Sequence, residues 1–247
     1  MRLQGKTLVV IGGTGGIGLA ASLALQREGA SLVAVGWKQA DSEQARERLG
    51  ESAEWLEADA RDPATAGRAI QRAVGRFGHF DGLYHVAGGS GRAEGDGPLH
   101  EVSDAGIDYT LRQNLSSVIY SNRAAVRHFL ERRQAGVVLN LTSVLADRPA
   151  PRHFGTVTYA AAKAGILGLT RSAAAMYAAH SIRFNALAPG LVETPAATRA
   201  LSDPVISRYV RAKQPLDGGR AIQTDDLNEA AIYLLSDASR FVTGQVL

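Results

Sequence analysis

The sequence of 247 residues contains no cysteine. Disulfide bonds, thiolate nucleophiles and cysteine-ligated metal sites are therefore excluded, and we predict no metal site of any kind. A chain without disulfides does not depend on an oxidising compartment, so a cytoplasmic location is the natural expectation.

Long hydrophobic runs are also missing, since no apolar run approaches the roughly 20 residues that a transmembrane helix needs. The N-terminal segment Met1–Gly5 does not read as a signal peptide. Neither sign of charge is in large excess: 27 Lys and Arg are nearly balanced by 24 Asp and Glu, which gives a net charge of only +3. We therefore predict neither a membrane nor a nucleic-acid partner.

Short apolar runs alternate with helical stretches along the whole chain. This alternation is typical of an α/β protein with a parallel sheet that helices cover on both faces. No shift in composition marks a boundary, so residues 1–247 are predicted to form one domain. The predicted strands are Thr7–Ile11, Ser31–Val35, Glu54–Glu57, Asp81–Val86, Gly136–Leu141 and Ile182–Leu187. The predicted helices are Asp62–Arg76, Asp104–Arg133, with a bend or break near Asn114, and Thr158–His180.

A glycine-rich turn follows the first predicted strand directly and leads into a helix. It runs from Gly12 to Gly18 and contains five glycines in seven residues. Glycine lets the backbone approach a pyrophosphate closely, and the N-terminus of the following helix offers unpaired N–H groups. This strand, turn and helix therefore predict a nucleotide-binding site.

Tyr159 and Lys163 lie four residues apart in a predicted helix, with three alanines between them. Residues at this spacing share a helical face. An ammonium group close to a phenol stabilises the phenolate, so we expect the pKa of Tyr159 to be lowered from its usual value of about 10. The pair is a candidate acid/base centre, although the same spacing also occurs on solvated helices.

Taken together, these motifs resemble the short-chain dehydrogenase/reductase family over essentially the whole chain, from Lys6 to the region of Gly244. The resemblance rests on a G-x-x-x-G-x-G pattern and four downstream residues in a fixed order: Gly12, Gly16, Gly18, Asn114, Ser143, Tyr159 and Lys163. It implies a Rossmann-type doubly wound sheet, hydride transfer between a nicotinamide and a carbonyl or alcohol carbon, and a homodimer or homotetramer.

The resemblance also implies a role for each polar residue of the predicted catalytic set. Tyr159 would donate the proton in reduction, Ser143 would hold the substrate oxygen, and Thr142 is a second choice for that hydroxyl. Lys163 would bind the nicotinamide ribose. Asn114 would hold a water that links the lysine to solvent, with a structural hydrogen bond to backbone as the competing interpretation.

Further cofactor contacts follow from the same resemblance. Asp59 matches an aspartate that contacts adenine, although an aspartate at the end of a strand also often caps a helix. The remaining residues assigned to the cofactor come from the glycine turn, from the end of the fourth strand and from the turn after the sixth: Ile17, Ala87, Gly88, Pro189, Gly190 and Thr194.

The end of the second strand bears on the choice between NAD and NADP. Gly36, Trp37 and Lys38 stand where a carboxylate would pair with the ribose hydroxyls of NAD. Trp37 could stack on adenine, and Lys38 could meet a 2′-phosphate as a point charge. On these charge grounds NADP is favoured over NAD.

The chain departs from the family pattern after the fourth strand, where His85 and Val86 replace two asparagines that brace the sheet. His85 is interpreted as a core histidine that replaces one of those hydrogen bonds. Family members also continue past a D-G-G turn, so the resemblance implies further residues after Leu247.

Two segments that follow strand ends, Gly88–Pro98 and Thr194–Gly219, are predicted to be mobile and to form the substrate entrance. The substrate is predicted to be a small molecule, either a 3-oxoacyl thioester or a small ketone or alcohol. The alternative hypothesis is a dinucleotide-binding regulatory or scaffold protein with little turnover.

Overall fold

A computed structural model of the chain describes residues 1–37 and 39–247; for residues 39–42, 44 and 51 only the backbone is described. The strands are β1 (Thr7–Ile11), β2 (Ser31–Gly36), β3 (Ala53–Glu57), β4 (Gly82–His85), β5 (Gly136–Leu141) and β6 (Ile182–Leu187). The α-helices are α1 (Gly16–Arg27), α2 (Gln39–Leu49), α3 (Thr65–Phe77), α4 (Asp104–Leu111), α5 (Ser117–Arg132), α6 (Val157–Tyr177), α7 (Thr198–Ser202), α8 (Pro204–Lys213) and α9 (Asn228–Leu235).

The strands form one parallel sheet in the order β3-β2-β1-β4-β5-β6. The chain starts in the middle, builds outward to β3, and then returns to β4 on the other side of β1. The order therefore reverses between β1 and β4, and ligands of such sheets bind outside the carboxyl ends of the strands at this point. The predicted doubly wound, Rossmann-type fold is confirmed.

The sheet has a hydrophobic core on each face, as the uniformly apolar sequence of β1 requires. Leu8 and Val10 pack with α1 and α9 on one side, whereas Val9 and Ile11 pack with α3 and α5 on the other. Alternate residues of a strand point to opposite faces, so both sets are buried at once. Burial of each such side chain contributes about 1.5–3 kcal/mol.

Near Asn114, where a bend or break is predicted, the helix contains a π turn and is not interrupted. α4 ends at Leu111, the π turn covers Arg112–Ser116, and α5 begins at Ser117. π turns are rare and often occur at functional sites. Here the turn contains Asn114, whose side chain is fully buried.

The region after β6, which is predicted to be a mobile segment, is largely helical in the structure. Residues 194–219 contain α7 and α8, and α8 starts with a well-formed cap, because the Asp203 carboxylate accepts hydrogen bonds from the N–H groups of Val205 and Ile206. A short helix of this kind has too few apolar residues to show a clear period in the sequence.

The last residues of the chain lie beside β6, where Leu247 donates its N–H to the Ala186 carbonyl at 3.0 Å. In the described residues, no helix is both long and apolar enough to cross a membrane.

Candidate active site

A cavity of about 1490 Å³ lies at the carboxyl ends of the strands, where the sheet order reverses. Most of the predicted site residues line it: Gly12, Gly16, Ile17, Trp37, Asp59, Ala87, Gly88, Ser143, Tyr159, Lys163, Pro189, Gly190 and Thr194. Gly18 and Asn114 lie behind its wall, and Lys38 falls outside the described residues. The two segments predicted to form an entrance also contribute, through residues such as Arg92 and Tyr209.

The glycine-rich turn is packed so closely that side chains would not fit at two of its positions. A Cβ on Gly12, where φ is +85°, would lie 2.7 Å from the Ala87 nitrogen, and one on Gly18 would lie 1.9 Å from the Gly12 carbonyl oxygen. α1 begins at Gly16 with no capping side chain and no acidic residue in its first turn. Its N–H groups therefore remain available to an anion, and this turn fits the pyrophosphate of a dinucleotide.

Ser143, Tyr159 and Lys163, here called the Tyr159 cluster, meet at the other end of the cavity. Ser143 follows β5, and the other two residues lie on α6. The Ser143 hydroxyl lies close enough to the Tyr159 phenol to lower its pKa. The Lys163 ammonium donates to the Leu141 carbonyl at 3.0 Å and lies 5.7 Å from the centroid of the Tyr159 ring.

The pKa values in this cluster differ from the simplest expectation. Burial raises the pKa of Tyr159, and the nearby Ser143 hydroxyl offsets only part of that rise. Burial also lowers the pKa of Lys163 to about 8, because an ammonium is costly away from water. The prediction that Lys163 lowers the pKa of Tyr159 is therefore wrong for this arrangement, in which the ammonium is bonded to Leu141 and burial dominates.

Thr142, the second choice for the substrate-binding hydroxyl, is used in another way. Its hydroxyl donates to the Lys163 carbonyl at 2.8 Å and so ties β5 to α6. The Ser143 hydroxyl, in contrast, accepts a bond of 3.2 Å from the Leu145 N–H. Both residues line the cavity, but the Thr142 hydroxyl is bonded to the backbone of α6.

Asn114 makes the structural hydrogen bonds that were the competing interpretation. Its Oδ1 accepts from the Gly89 N–H at 2.9 Å, and its Nδ2 donates to the carbonyls of Gly89 and Thr110 at 2.9 and 3.0 Å. A Cβ on Gly88 would lie 2.8 Å from Asn114 Oδ1 and 3.2 Å from Lys163 Nζ. Asn114 thus holds the loop after β4 beside the lysine, and its predicted contact with a water stays a prediction.

His85 occupies the core position that the sequence indicated. It is fully buried, its Nδ1 lies 2.7 Å from the Ser121 hydroxyl, and its Nε2 lies 3.2 Å from the Ala87 carbonyl. Burial, together with the charge of Lys163, lowers its pKa to about 3. The ring is therefore neutral and braces the backbone that leads to Gly88.

Trp37, Asp59, Arg61 and Tyr109 form a second group, the Trp37 cluster, beyond the ends of β2 and β3. The Arg61 guanidinium binds the Asp59 carboxylate through Nε and a terminal nitrogen at 2.7–3.1 Å. It also lies 5.1 Å from the Trp37 ring and 5.3 Å from the Tyr109 ring. Burial opposes the charge on Asp59, but the bonds from Arg61 outweigh it and hold the pKa of this carboxyl below its usual value.

The turn after β6 also lines the cavity, on the side of the Tyr159 cluster that is away from the Trp37 cluster. The Pro189 carbonyl accepts from the Val144 N–H at 3.1 Å, next to Ser143. A Cβ on Gly190 would lie 2.3 Å from Oε1 of Gln214, which also accepts from the Leu191 N–H at 2.7 Å. Gln214 follows α8 directly, so this contact attaches the helical segment to the turn.

Comparison with known proteins agrees with this geometry. A family model described as Enoyl-(Acyl carrier protein) reductase matches residues 12–247. The chain is 34% identical to cis-4-hydroxycyclohexanecarboxylate dehydrogenase of Sinomonas cyclohexanicum, over 98% of this chain and 94% of that protein. It is 30% identical to 3-oxoacyl-(acyl-carrier-protein) reductase FabG of Escherichia coli K12, over 100% of this chain and 96% of that protein.

A solved structure of a short-chain type dehydrogenase/reductase from Mycobacterium ulcerans superposes with a TM-score of 0.88 at 26% identity. The match covers 100% of this chain and 88% of that one. The chain belongs to the short-chain dehydrogenase/reductase family. It is therefore an oxidoreductase of a family whose members bind NAD or NADP.

Three side chains of this family member were not singled out by the sequence motifs: Arg61, Tyr109 and Asp96. Arg61 and Tyr109 belong to the Trp37 cluster, and Asp96 is a buried carboxylate bonded to the first turn of α6. Asp96 lies in a segment dense in glycine and charge, where a single acidic residue gives no sequence signal. Only the fold brings it to the helix that carries Tyr159.

Proposed function

We propose that this chain is an NADP-preferring oxidoreductase that transfers hydride between the nicotinamide and a carbonyl or alcohol carbon, with Tyr159 as the acid/base. The observation that carries the proposal is that Tyr159 and Ser143 line the same cavity as the glycine-rich turn. A proton donor and a second hydroxyl that both reach one substrate oxygen are what carbonyl reduction requires.

The N-terminus of α1 and the glycines of the turn would hold the pyrophosphate. The bound dinucleotide would supply the hydride, and the protein would supply orientation and proton transfer. The preference for NADP is supported by the lack of a carboxylate at the end of β2, where Gly36 is followed by Trp37. Lys38 would provide a positive charge for the 2′-phosphate.

In the proposed reduction, Ser143 donates a hydrogen bond to the substrate oxygen and Tyr159 transfers its proton to that oxygen. A raised phenol pKa suits this direction, because it keeps Tyr159 protonated at neutral pH. We assign Lys163 to the ribose of the nicotinamide and to the replacement of the proton. Asn114 holds the loop at Gly89 and Gly88 in place beside it.

The proposed substrate is a ketone or secondary alcohol with an apolar body. A small apolar cluster of Ala200, Ile206 and Val210 lies beside the cavity, and Phe154, Leu191 and Tyr209 pack against it. Such a wall favours a hydrocarbon body over a charged one. Relatives named for a hydroxycyclohexanecarboxylate and for a 3-oxoacyl group are consistent with either a ring or an acyl chain.

We also propose that the chain assembles as a homodimer or homotetramer through α5 and α6. Ile119 and Leu130 on α5 and Met176 on α6 are exposed, with Met176 at 65%. Ala173 and Ala174 pack on the sheet instead. Sedimentation equilibrium measures the assembly directly, and a monomer at micromolar concentration would contradict it.

The function is tested by following the absorbance of reduced nicotinamide with NADPH or NADH against cyclic ketones and 3-oxoacyl thioesters. We expect turnover with a higher kcat/KM for NADPH, and we expect Lys38→Ala to reduce that preference. Absence of turnover in both directions, with intact NADPH binding, would favour the regulatory alternative. A preference for NADH would refute the cofactor assignment alone.

A further inference from the structure

The first turn of α6 carries Tyr159 but is not capped by its own N-terminal residue, since Thr156 makes no side-chain hydrogen bond to it. The first N–H groups of a helix lack partners within the helix. Here the partners come from a different part of the chain. The Asp96 carboxylate accepts from the Thr158 N–H through Oδ1 at 3.1 Å and from the Tyr159 N–H through Oδ2 at 2.9 Å.

Asp96 is only 3% exposed. A buried carboxylate is costly unless hydrogen bonds compensate for lost water. Two backbone N–H groups and the positive end of a helix of 21 residues provide that compensation. The adjacent Gly97 carbonyl accepts from the Val157 N–H at 3.2 Å, so the same loop meets the N–H groups of all three residues that open α6.

The loop that carries Asp96 is itself held in place. At its start, Asn114 is bonded to both backbone polar groups of Gly89. Near its end it packs tightly on α4, because a Cβ on Gly106 would lie 2.4 Å from the carbonyl carbon of Gly95. Asp96 therefore presents its carboxylate to α6 from a braced segment.

We propose that Asp96 is a positioning residue for Tyr159. Its carboxylate fixes the first turn of α6 and so keeps the Tyr159 hydroxyl within reach of Ser143 and of the substrate oxygen. The inference rests on the proposed function, in which Tyr159 transfers the proton. A displacement of about 1 Å at such a group can lower a rate by about 10²-fold.

The test is Asp96→Asn, which keeps the size of the side chain. An amide has a single acceptor oxygen, so its NH₂ group faces one of the two backbone N–H groups and that bond is lost. We expect kcat to fall at least tenfold, with KM for the cofactor and the dinucleotide Kd unchanged within twofold. The pH profile of kcat keeps its shape, because no titrating group of the reaction has been removed.

Asp62→Asn is the matched control. The Asp62 carboxylate accepts from the Ala64 N–H at 2.9 Å at the start of α3, and none of the described residues of α3 lines the cavity. This substitution also removes a carboxylate at a helix start, and we expect kcat to stay within twofold of wild type. Equal losses in both variants would mean a general effect on folding and would overturn the proposal.

A folded Asp96→Asn variant with kcat within twofold of wild type would also overturn it, and so would a change confined to cofactor binding. If Asp96→Asn does not fold, Asp96→Glu keeps the charge and displaces the carboxylate by one methylene. The same loss of kcat with intact dinucleotide binding is then required of that variant. A wild-type protein without turnover refutes the proposed function before any variant is compared, so the two failures are distinguishable.

Discussion

At the Tyr159 cluster the bonds of Lys163 and of the start of α6 each join a side chain to main-chain atoms, whereas at the Trp37 cluster side chains hold one another. Lys163 is bonded to the Leu141 carbonyl, and the start of α6 is bonded to Asp96. Arg61, in contrast, is bonded to the Asp59 side chain and stacks on two rings, and Trp37 is 59% exposed.

Because the two clusters are held differently, we expect them to differ in how strongly a substitution affects them. A side chain that is bonded to strand and helix backbone loses freedom only when the fold forms, so its position is set before any ligand arrives. Exposed side chains that hold one another rearrange at little cost, because exposed ion pairs and cation–π contacts contribute only about 1 kcal/mol or less. Substitutions should therefore have large effects at the first cluster and small ones at the second.

The strongest test of this contrast is Tyr159→Phe. Loss of the proton donor should lower kcat by about 10²–10⁴-fold, the range of general acid catalysis, while dinucleotide binding is kept. Steady-state rates and a binding titration of the same preparation measure both quantities. A residual kcat above a tenth of wild type would remove Tyr159 from the proton-transfer role.

Lys163 gives a pH-dependent test of burial at the same cluster. Burial lowers its pKa to about 8 in the folded protein, against 10.5 for an unperturbed lysine. As the pH rises through this interval, the folded state loses the proton while the unfolded state retains it, so stability increases. Relative to Lys163→Met, wild type should gain on the order of 3 kcal/mol between pH 8 and 10.5. Urea unfolding at a series of pH values measures the difference, and a flat difference would contradict it.

Substitution of the neighbouring hydroxyls of Thr142 and Ser143 distinguishes an effect on catalysis from an effect on stability. Ser143→Ala should lower kcat by about 10²-fold, the lower end for a group acting in proton transfer, with little change in unfolding free energy. Thr142→Ala removes the bond to the Lys163 carbonyl and should lower the unfolding free energy by about 1 kcal/mol. Denaturant unfolding and rates of both variants give the pattern; a larger kcat loss for Thr142→Ala would reverse the assignment.

The buried His85, which braces the backbone that leads to Gly88, gives a test of stability at acid pH. Burial lowers its pKa to about 3 in the folded protein, against 6.5 for an unperturbed histidine, so the unfolded state takes up a proton first as the pH falls below 6.5. Wild type should then lose on the order of 2 kcal/mol relative to His85→Asn between pH 7 and pH 5. His100→Asn, at a side chain that is 80% exposed, is the control and should show no such difference.

The smallest effect is expected at the Trp37 cluster. Arg61→Leu leaves the Asp59 charge uncompensated beside an anionic cofactor, and the dinucleotide Kd should rise by about two- to fivefold, which corresponds to about 0.5–1 kcal/mol. Trp37 fluorescence in a Trp55→Phe background reports the binding. Arg240→Leu is the control, because Arg240 lies over the Phe241 ring and neither residue lines the cavity. A rise in the dinucleotide Kd of about 10²-fold, as large as the fall in kcat expected for Ser143→Ala, would contradict the contrast between the clusters.

The sequence was sufficient for the sheet, because its strands are short runs rich in apolar residues, and it drew attention to Asn114, because asparagine is a poor helix former. The resemblance to the family grouped Ser143, Tyr159 and Lys163, and all three line one cavity. The sequence did not predict two features that depend on tertiary contacts. Burial determines the direction of the Tyr159 pKa, and the Asp96 contact spans 63 residues of chain.

The five-residue π turn shifts the phase of the helix that contains it. A π turn takes up one residue more than an α turn, so the positions that share a face in α4 are offset by one residue from those that share it in α5. One face of α4 carries Tyr109 toward the cavity, and one face of α5 carries Phe129 into the core of the sheet. A single-residue deletion within 112–116 would convert the π turn into regular α-helix and displace Asn114 from the Gly89 N–H.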